Sequence, residues 1–248
     1  MVYMEKEVSI TYNDLEFSGF YTAPEGGNHP AILLIHEVWG MTDHIKDVAR
    51  RFAKEGYVVL APDLLSHTGI TEKVDQTILA KVHSPETRAE AQKQLRAAMA
   101  PIQSPGFGKD TIGRLKACID YLEKDDNVTE RIAVVGFCFG GTYAYALATA
   151  DNRPSAIVPF YGHAPEPLSD IAKIACPILA FYGEKDENLI GPLPDLEKAM
   201  DKHEKDFEEV IYPHTGHAFF NDTNPATYNA DAASDAWAKT LTFLEKKS

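Results

Sequence analysis

The sequence predicts an α/β fold in which a mostly parallel central sheet carries helices on both faces. Short apolar runs alternate along the chain with segments whose apolar residues recur at helical spacing, which is typical of β-α-β units. Runs such as Ala31–Ile35 and Ile132–Val135 contain no polar alternation, which indicates strands buried on both faces. Because we find no repeat and no linker in the 248 residues, we expect one domain over 1–248.

Each element is predicted from its apolar pattern and its flanking turn residues. A hairpin opens the chain, since Asn13-Asp14 separates two strand-like runs. The predicted strands are Glu5–Tyr12, Leu15–Thr22, Ala31–Ile35, Tyr57–Ala61, Ile132–Val135, Ala156–Tyr161, Ile178–Tyr182 and Glu209–Tyr212. The predicted helices are 42–56, one through Ile112–Leu122, 140–150, 194–204 and 226–246. We expect only a short polar connection between Tyr161 and Ile178.

The segment 64–109 interrupts this alternation. It holds a polar stretch and then a predicted helix, Glu86–Ala100, with Ser84 as its cap and Pro85 in its first turn. An excursion that leaves the carboxyl edge of a strand is well placed to cover a site there. An ordinary surface helix fits the same pattern.

Composition limits the classes of partner. The chain has 37 acidic and 24 basic residues and a net charge of −13. A protein that neutralises phosphates needs a basic face, so we expect no nucleic-acid partner and no membrane partner. The first residues lack the apolar region of a signal peptide, and the three cysteines form no CxxC pair. We therefore expect a cytoplasmic protein, because free thiols persist in a reducing compartment.

The strongest local signal is a cysteine between glycines, where a strand meets a helix. Residues 134–141 read Val-Val-Gly-Phe-Cys-Phe-Gly-Gly, a G-x-C-x-G-G pattern related to the strained turn that presents a nucleophilic serine. A helix N-terminus favours the thiolate, which is the reactive form. Cys138 is therefore a candidate nucleophile, and a buried core cysteine in a tight turn is the alternative.

Two downstream residues complete a nucleophile, acid and histidine in chain order. Asp186 follows the strand Ile178–Tyr182, and His217 follows the last strand. The histidine would move the proton and the acid would fix its tautomer. Glu184 and Glu187 are the rival acids, and His214 is the rival histidine.

Other potential site residues have structural explanations. Cys118 lies on the apolar side of a predicted helix, and Cys176 precedes a proline at a strand start. The pair His36-Glu37 is not part of H-E-x-x-H, because residue 40 is glycine. With no ligand spacing among nine histidines, we expect no metal and no cofactor.

Five motifs together resemble the dienelactone hydrolase (carboxymethylenebutenolidase) family, which has the α/β-hydrolase fold. The resemblance covers about residues 5 to 246 and rests on Ile35–Gly40, Ala61–Leu64, Gly136–Gly141, Gly183–Asp186 and Gly216–Phe219. It implies that Glu37 lies beside Cys138, helps to control its ionisation and restrains it at rest, and that substrate binding switches the thiol to thiolate. It also implies an oxyanion hole made by the backbone N–H groups of Val38 and Phe139. For Glu37 the alternative is a charge buried against an arginine.

The resemblance also implies a substrate carboxylate held by two arginines. Arg88 matches the first, but the second position is Asn221, and no arginine follows Arg153. Half of the carboxylate clamp is therefore missing, and since a charge-assisted hydrogen bond is typically worth about 1.5–3 kcal/mol, we expect the affinity for such a substrate to fall by about one or two orders of magnitude. The pair Phe219-Phe220 also suggests a less polar acyl group.

The sequence thus predicts a cysteine-dependent hydrolase of small lactones or esters that works through a Cys138 thioester and needs no cofactor. A carboxylesterase or thioesterase acting on another acyl group fits the same residues. A non-catalytic thiol sensor is a third possibility, although a sensor needs only the thiolate. We expect a monomer or a small homo-oligomer that acts on a small molecule.

Overall fold

A mixed eight-stranded sheet forms the centre of the molecule. The computed structural model describes residues 3–73 and 88–247. Its strands are β1 (Tyr3–Tyr12), β2 (Leu15–Pro24), β3 (His29–Ile35), β4 (Val58–Pro62), β5 (Val128–Phe137), β6 (Ala156–Phe160), β7 (Ile178–Gly183) and β8 (Phe207–Tyr212). They lie in the order β1-β2-β4-β3-β5-β6-β7-β8, and only the β1/β2 and β2/β4 pairs are antiparallel.

Helices connect most of these strands. The α-helices of the described residues are Asp43–Lys54, Ile70–Lys73, Arg88–Met99, Phe107–Glu123, Phe139–Ala150, Glu187–Ile190, Leu193–Lys202 and Ala230–Lys247. Three 3₁₀ helices also occur, at Ser66–Thr68, Ala100–Gln103 and Leu168–Lys173. The predicted order of strands and helices is confirmed, and most boundaries differ by a few residues.

The central strands are covered on both faces. Every residue of β4, β6 and β7 is buried, as is Ala31–Ile35 in β3. Continuous burial over successive residues requires packing on both faces, because side chains alternate between them. The predicted α/β class with a mostly parallel sheet is therefore confirmed.

Two connections differ from the prediction. The link between β6 and β7 contains the 3₁₀ helix Leu168–Lys173, which buries Ile171 against the core. The last helix begins at Ala230 instead of residue 226. Before it, Asn221 and Asn224 cap successive turns, since their side-chain oxygens accept hydrogen bonds from the backbone N–H groups of Thr223 and Ala226. The loop keeps its backbone satisfied through these turns, and apolar spacing alone does not reveal them.

The described part of the excursion packs against the rest of the protein through a small apolar cluster. Leu65, Ile70 and Phe107 are buried there, and Val38 and Phe139 pack against them. The excursion helix begins at Arg88 in the described residues. The predicted cap Ser84, Pro85 and the side chain of Arg88 lie outside the described part of the structure.

Among residues 3–73 and 88–247, no helix has the length and apolar character needed to cross a bilayer.

Candidate active site

Five side chains converge at the carboxyl edge of the parallel strands. Glu37, Cys138, Tyr161, Asp186 and His217 each follow the end of a strand, namely β3, β5, β6, β7 and β8 in that order. Parallel strands end at a common edge, and β3 lies directly beside β5, with Ile35 paired to Gly136. The topology therefore brings together residues that lie far apart in the chain.

Cys138 occupies the sharp turn between β5 and the helix Phe139–Ala150, which we call the elbow helix. Its backbone has φ 55° and ψ −111°, a region that residues with a side chain rarely adopt. Cys138 is the N-cap of the elbow helix and is half-buried. The turn therefore presents its thiol at the positive end of a helix dipole.

Glycines on both sides make this turn possible. A side chain at Gly136 would collide with the backbone of Gly140, and one at Gly140 would collide with the carbonyl oxygen of Ile35. Glycine at these two positions therefore lets the elbow helix approach β3 and β5 more closely than a residue with a side chain would allow. These two close backbone approaches explain why the G-x-C-x-G-G pattern in the sequence has glycine at positions 136 and 140.

His217 connects the acid to the thiol. Its Nδ1 lies 2.5 Å from Oδ2 of Asp186, and because a carboxylate can only accept, Nδ1 carries the proton. Cys138 lies near enough to this ring to raise the pKa of His217. The structure therefore brings the three predicted residues together, with the Asp186 side chain 7% exposed and that of His217 42% exposed.

The electrostatics of His217 favour its charged form. Burial lowers the pKa of His217, but hydrogen bonds to Asp186 and Cys138 outweigh it and raise this pKa to about 10. A protonated imidazole next to a thiol favours the thiolate. The arrangement can supply a reactive sulfur and a nearby proton donor.

The rival residues lie elsewhere. The His214 side chain is 88% exposed, and its backbone N–H donates to Glu184 Oε2 at 2.7 Å. Glu187 begins a short helix after Asp186 and is exposed. In the structure His214 and Glu184 pair with each other at the surface.

Glu37 is buried beside this chain of residues. It is 1% exposed, and its Oε2 accepts a hydrogen bond from Asn221 Nδ2 at 2.7 Å. Burial raises the pKa of Glu37, while Asn221, the charge of His217 and Tyr161 partly offset the rise. The alternative interpretation, in which Glu37 is a charge buried against an arginine, is wrong among the described residues, because Glu37 bonds there to the amide of Asn221 and the phenol of Tyr161.

Tyr161 completes this environment and was not identified from the sequence. Its hydroxyl donates to Glu37 Oε1 across 3.4 Å, and its ring centroid lies 5.0 Å from that of His217. Burial, followed by the charges of Glu37 and Cys138, raises the pKa of Tyr161 well above its usual range. The sequence feature that could have identified Tyr161 is its position at the end of a predicted parallel strand.

One expectation about substrate contacts is wrong. Phe219 and Phe220 are 0% and 2% exposed and pack in the main core, so they cannot line a binding surface. Asn221 is buried, and its amide is already bonded to Glu37 and Thr223. Asn221 is therefore part of a hydrogen-bond network within the protein.

The expected oxyanion residues both lie against the apolar cluster of the excursion. Phe139 is the first residue of the elbow helix, so its N–H has no acceptor within the helix. Val38 follows Glu37 in the loop after β3. The Phe139 ring stacks on that of His36, with centroids 5.9 Å apart, and both Phe139 and Val38 contact the apolar cluster of the excursion.

The remaining candidates have no role at this site. Cys118 is fully buried, and burial raises its pKa. Burial likewise raises the pKa of Cys176 to about 11, so neither thiol is activated. Within residues 3–73 and 88–247, no group of three or more histidine, cysteine, aspartate or glutamate side chains could hold a metal ion.

Comparison with known proteins shows the family to which the chain belongs. The profile of the family described as "Dienelactone hydrolase family" matches residues 17–248. The chain is 37% identical to a "Putative carboxymethylenebutenolidase" of Saccharolobus solfataricus, over 99% of this chain and 100% of that protein. It is 32% identical to a "Probable 2-oxo-3-(5-oxofuran-2-ylidene)propanoate lactonase" of Bradyrhizobium sp., over 88% and 84%.

Solved structures show the same fold. The crystal structure of a "Putative Dienelactone Hydrolase" from Klebsiella pneumoniae superposes with a TM-score of 0.80, at 23% identity and 99% coverage of both chains. The family profile and the sequence relatives cover nearly the whole chain. The chain therefore belongs to the dienelactone hydrolase family, and it is an α/β-hydrolase-fold enzyme that hydrolyses ester or lactone bonds.

Proposed function

We propose that the enzyme hydrolyses small lactones or esters through a thioester on Cys138. The observation that carries this proposal is the 2.5 Å contact between Asp186 and His217, together with Cys138 at a strained elbow near that ring. A thiol sensor would need the thiolate but not the acid that orients the histidine. We therefore prefer the hydrolase mechanism.

In the first half-reaction the thiolate of Cys138 attacks the carbonyl carbon, and the carbonyl electron pair moves to the oxygen. The N–H groups of Val38 and Phe139 would stabilise that oxyanion. When the intermediate collapses, the C–O bond to the leaving alcohol breaks and protonated His217 gives the alkoxide its proton. The acyl group remains on sulfur as a thioester.

In the second half-reaction neutral His217 takes a proton from water, and the resulting hydroxide attacks the thioester. The C–S bond then breaks, the acid leaves, and the thiolate and protonated His217 are restored. Asp186 keeps the Nδ1 proton in place throughout. No cofactor takes part in either half-reaction.

We favour an uncharged acyl group. Val38 and Phe139 are half-buried apolar side chains that pack against the buried residues Leu65, Ile70 and Phe107, and we propose that the segment 64–109 covers the site on this apolar side. Arg88 remains the proposed partner for a carboxylate, should the substrate carry one.

The test compares two substrates, dienelactone and a neutral aryl ester of similar size, at neutral pH. Wild type should cleave the aryl ester, and Cys138→Ala should abolish turnover while keeping the wild-type melting temperature. Cys176→Ala, which removes another half-buried free thiol, is the matched control and should retain full activity. Near-normal turnover by Cys138→Ala would remove the proposal.

The preference between the two substrates tests the acyl group separately. Faster cleavage of the aryl ester supports an uncharged acyl group. A clear preference for dienelactone would overturn that part and make Arg88→Ala the next variant. We also propose a cytoplasmic location, because all three cysteines are free, and a monomer or small homo-oligomer.

A further inference from the structure

The peptide bond between Glu37 and Val38 is held from its carbonyl side. The carbonyl oxygen of Glu37 accepts the backbone N–H of Gly40 at 3.1 Å, which closes a four-residue turn after β3. The same oxygen lies 2.6 Å from Nδ1 of His36. A trans peptide is planar, so its C=O and N–H bonds point in opposite directions. Fixing the Glu37 carbonyl therefore also fixes the direction of the Val38 N–H.

The two ring nitrogens of His36 have defined roles. Nε2 accepts the backbone N–H of Leu64 at 3.1 Å. A neutral imidazole has one donor and one acceptor nitrogen, so Nδ1 carries the proton and donates to the Glu37 carbonyl oxygen. Burial lowers the pKa of His36, which favours this neutral form. The direction of both hydrogen bonds is thereby defined.

His36 also links the turn after β3 to two other elements. Its side chain is fully buried, and Leu64 lies two residues after the end of β4. The His36 ring stacks on that of Phe139, with centroids 5.9 Å apart and 9° between the planes. Phe139 is the first residue of the elbow helix. The ring therefore ties this turn both to the end of β4 and to the helix that begins at Cys138.

The Val38 N–H donates to no backbone carbonyl oxygen within the part of the chain that the structure describes. The Phe139 N–H, at the start of its helix, likewise has no acceptor in that helix. Hydrogen bonds to a carbonyl oxygen polarise the N–H of the same peptide. The two bonds to the Glu37 carbonyl therefore make the Val38 N–H a stronger donor.

We infer that His36 is a positioning residue for the oxyanion hole. Its Nδ1–H holds the Glu37–Val38 peptide so that the Val38 N–H, together with the Phe139 N–H, faces the developing negative charge. The inference rests on the proposed function in taking these two N–H groups as the oxyanion hole. It extends that function by naming the side chain that fixes one of the donors. His36 acts through the peptide and is not itself a catalytic residue.

The test compares two reactions of the same thiol. Hydrolysis of a neutral aryl ester passes through a tetrahedral oxyanion, whereas iodoacetamide loses iodide from a saturated carbon and forms no oxyanion. Hydrolysis is measured as kcat/KM, which reports acylation of the enzyme. Alkylation is measured as a second-order rate constant, by mass spectrometry of the peptide that contains Cys138. A defect confined to the oxyanion hole slows hydrolysis alone.

The main variant is His36→Phe, which keeps a flat ring beside Phe139 but has no donor and no acceptor. Loss of one oxyanion donor typically costs about 10²–10³ in rate, and a donor that is present but no longer held should cost less. We expect kcat/KM to fall by about 10- to 100-fold, and the alkylation rate to stay within about threefold of wild type. His36→Leu should behave in the same way and serves if the phenylalanine variant does not fold.

His36→Asn tests whether the donor can be restored. Its amide nitrogen takes the place of Nδ1 and can donate to the Glu37 carbonyl oxygen, but the side chain is too short to accept from Leu64. We expect kcat/KM to stay within about fivefold of wild type, even though the bond to Leu64 is lost. The matched control is His29→Phe, since His29 is a half-buried histidine at the opposite end of β3. This control should keep both rates.

Three outcomes would overturn the inference. One is a folded His36→Phe enzyme that hydrolyses the ester as fast as wild type. Another is a loss of alkylation that matches the loss of hydrolysis, because His36 would then support the whole site. The third is a His36→Asn enzyme as slow as His36→Phe, because a donor at the Nδ1 position would then have no effect. Failure of the proposed function is visible separately, since Cys138→Ala would then keep its esterase activity.

Discussion

Oδ2 of Asp186 lies 2.5 Å from Nδ1 of His217, although the two residues stand 31 positions apart in the chain. The acid follows β7 and the histidine follows β8, and these two strands pair in parallel from Ile178 with Phe207 to Gly183 with Tyr212. The loop contact is secured further by the N–H of Lys185, which donates to the carbonyl oxygen of Thr215. Neighbouring strand ends therefore set the orientation of the imidazole.

Replacing Asp186 by asparagine should remove this control. The amide would donate to Nδ1 and favour the wrong tautomer, and the equivalent change in a serine hydrolase lowers kcat by about 10⁴. We expect kcat here to fall by at least about 10², with KM little changed. Steady-state kinetics on a neutral aryl ester measures the effect.

The control for this prediction is Glu184→Gln. Glu184 is the rival acid from the same loop, and its side chain accepts a hydrogen bond from His214 at the surface. It should leave kcat unchanged. If Glu184→Gln loses as much activity as Asp186→Asn, the assignment of the acid is wrong.

Gly140→Ala should damage both folding and activity. The added methyl group would meet the carbonyl oxygen of Ile35, and a clash with backbone cannot be relieved by rotating a side chain. Overpacking of this kind typically costs about 1–3 kcal/mol, occasionally more, and it pushes the elbow helix away from β3. Chemical denaturation measures the loss of unfolding free energy, and ester hydrolysis measures the loss of activity.

Gly27→Ala provides the matched substitution at an open position. The nearest atom to a side chain there is the carbonyl oxygen of Asp126 at 3.9 Å, which is ordinary contact. We expect its unfolding free energy to stay within about 1 kcal/mol of wild type. Equal destabilisation by the two variants would contradict the role given to the elbow glycine.

The stability of the protein should fall as the pH drops below about 6.5, the ordinary pKa of histidine. His36 Nε2 accepts the N–H of Leu64 at 3.1 Å, so the ring is neutral and its Nδ1–H donates to the carbonyl oxygen of Glu37. Burial lowers the pKa of His36, and burial also lowers that of His44. The unfolded chain then binds protons that the folded protein does not, and the unfolding free energy decreases with falling pH.

His36→Gln tests this dependence, because a carboxamide also offers one donor and one acceptor. Below the ordinary pKa, the variant should lose one proton's contribution to the slope, about 1.4 kcal/mol per pH unit. His214→Gln, at an exposed position, should keep the wild-type slope. An unchanged slope in His36→Gln would show that His36 is not held neutral.

Much of the site was predictable because the chemistry lies at strand ends. Cys138, Asp186 and His217 were found from the order of apolar runs and the loops that follow them, and the structure brings all three together. Glu37 was located through the resemblance to the family. In each case the local sequence contains both the strand and the functional residue.

Contacts between distant loops were not predictable in this way. Asn221 and Glu37 are separated by 184 positions, and nothing in the residues around Asn221 identifies its partner. Phe219 and Phe220 were misread for the same reason, since whether a loop aromatic faces substrate or core depends on the packing of the whole domain. Residues in loops carry a weaker signal, because their environment is set by tertiary structure.

The central claim is the thioester on Cys138, and direct detection of the acyl-enzyme tests it best. Wild type would be mixed with a neutral aryl ester, quenched with acid and examined by mass spectrometry. We predict an acyl group on the peptide that contains Cys138, removed by neutral hydroxylamine as expected for a thioester, and no such adduct on Cys138→Ala. An acyl group on another residue, or turnover of the ester by Cys138→Ala, would contradict the account.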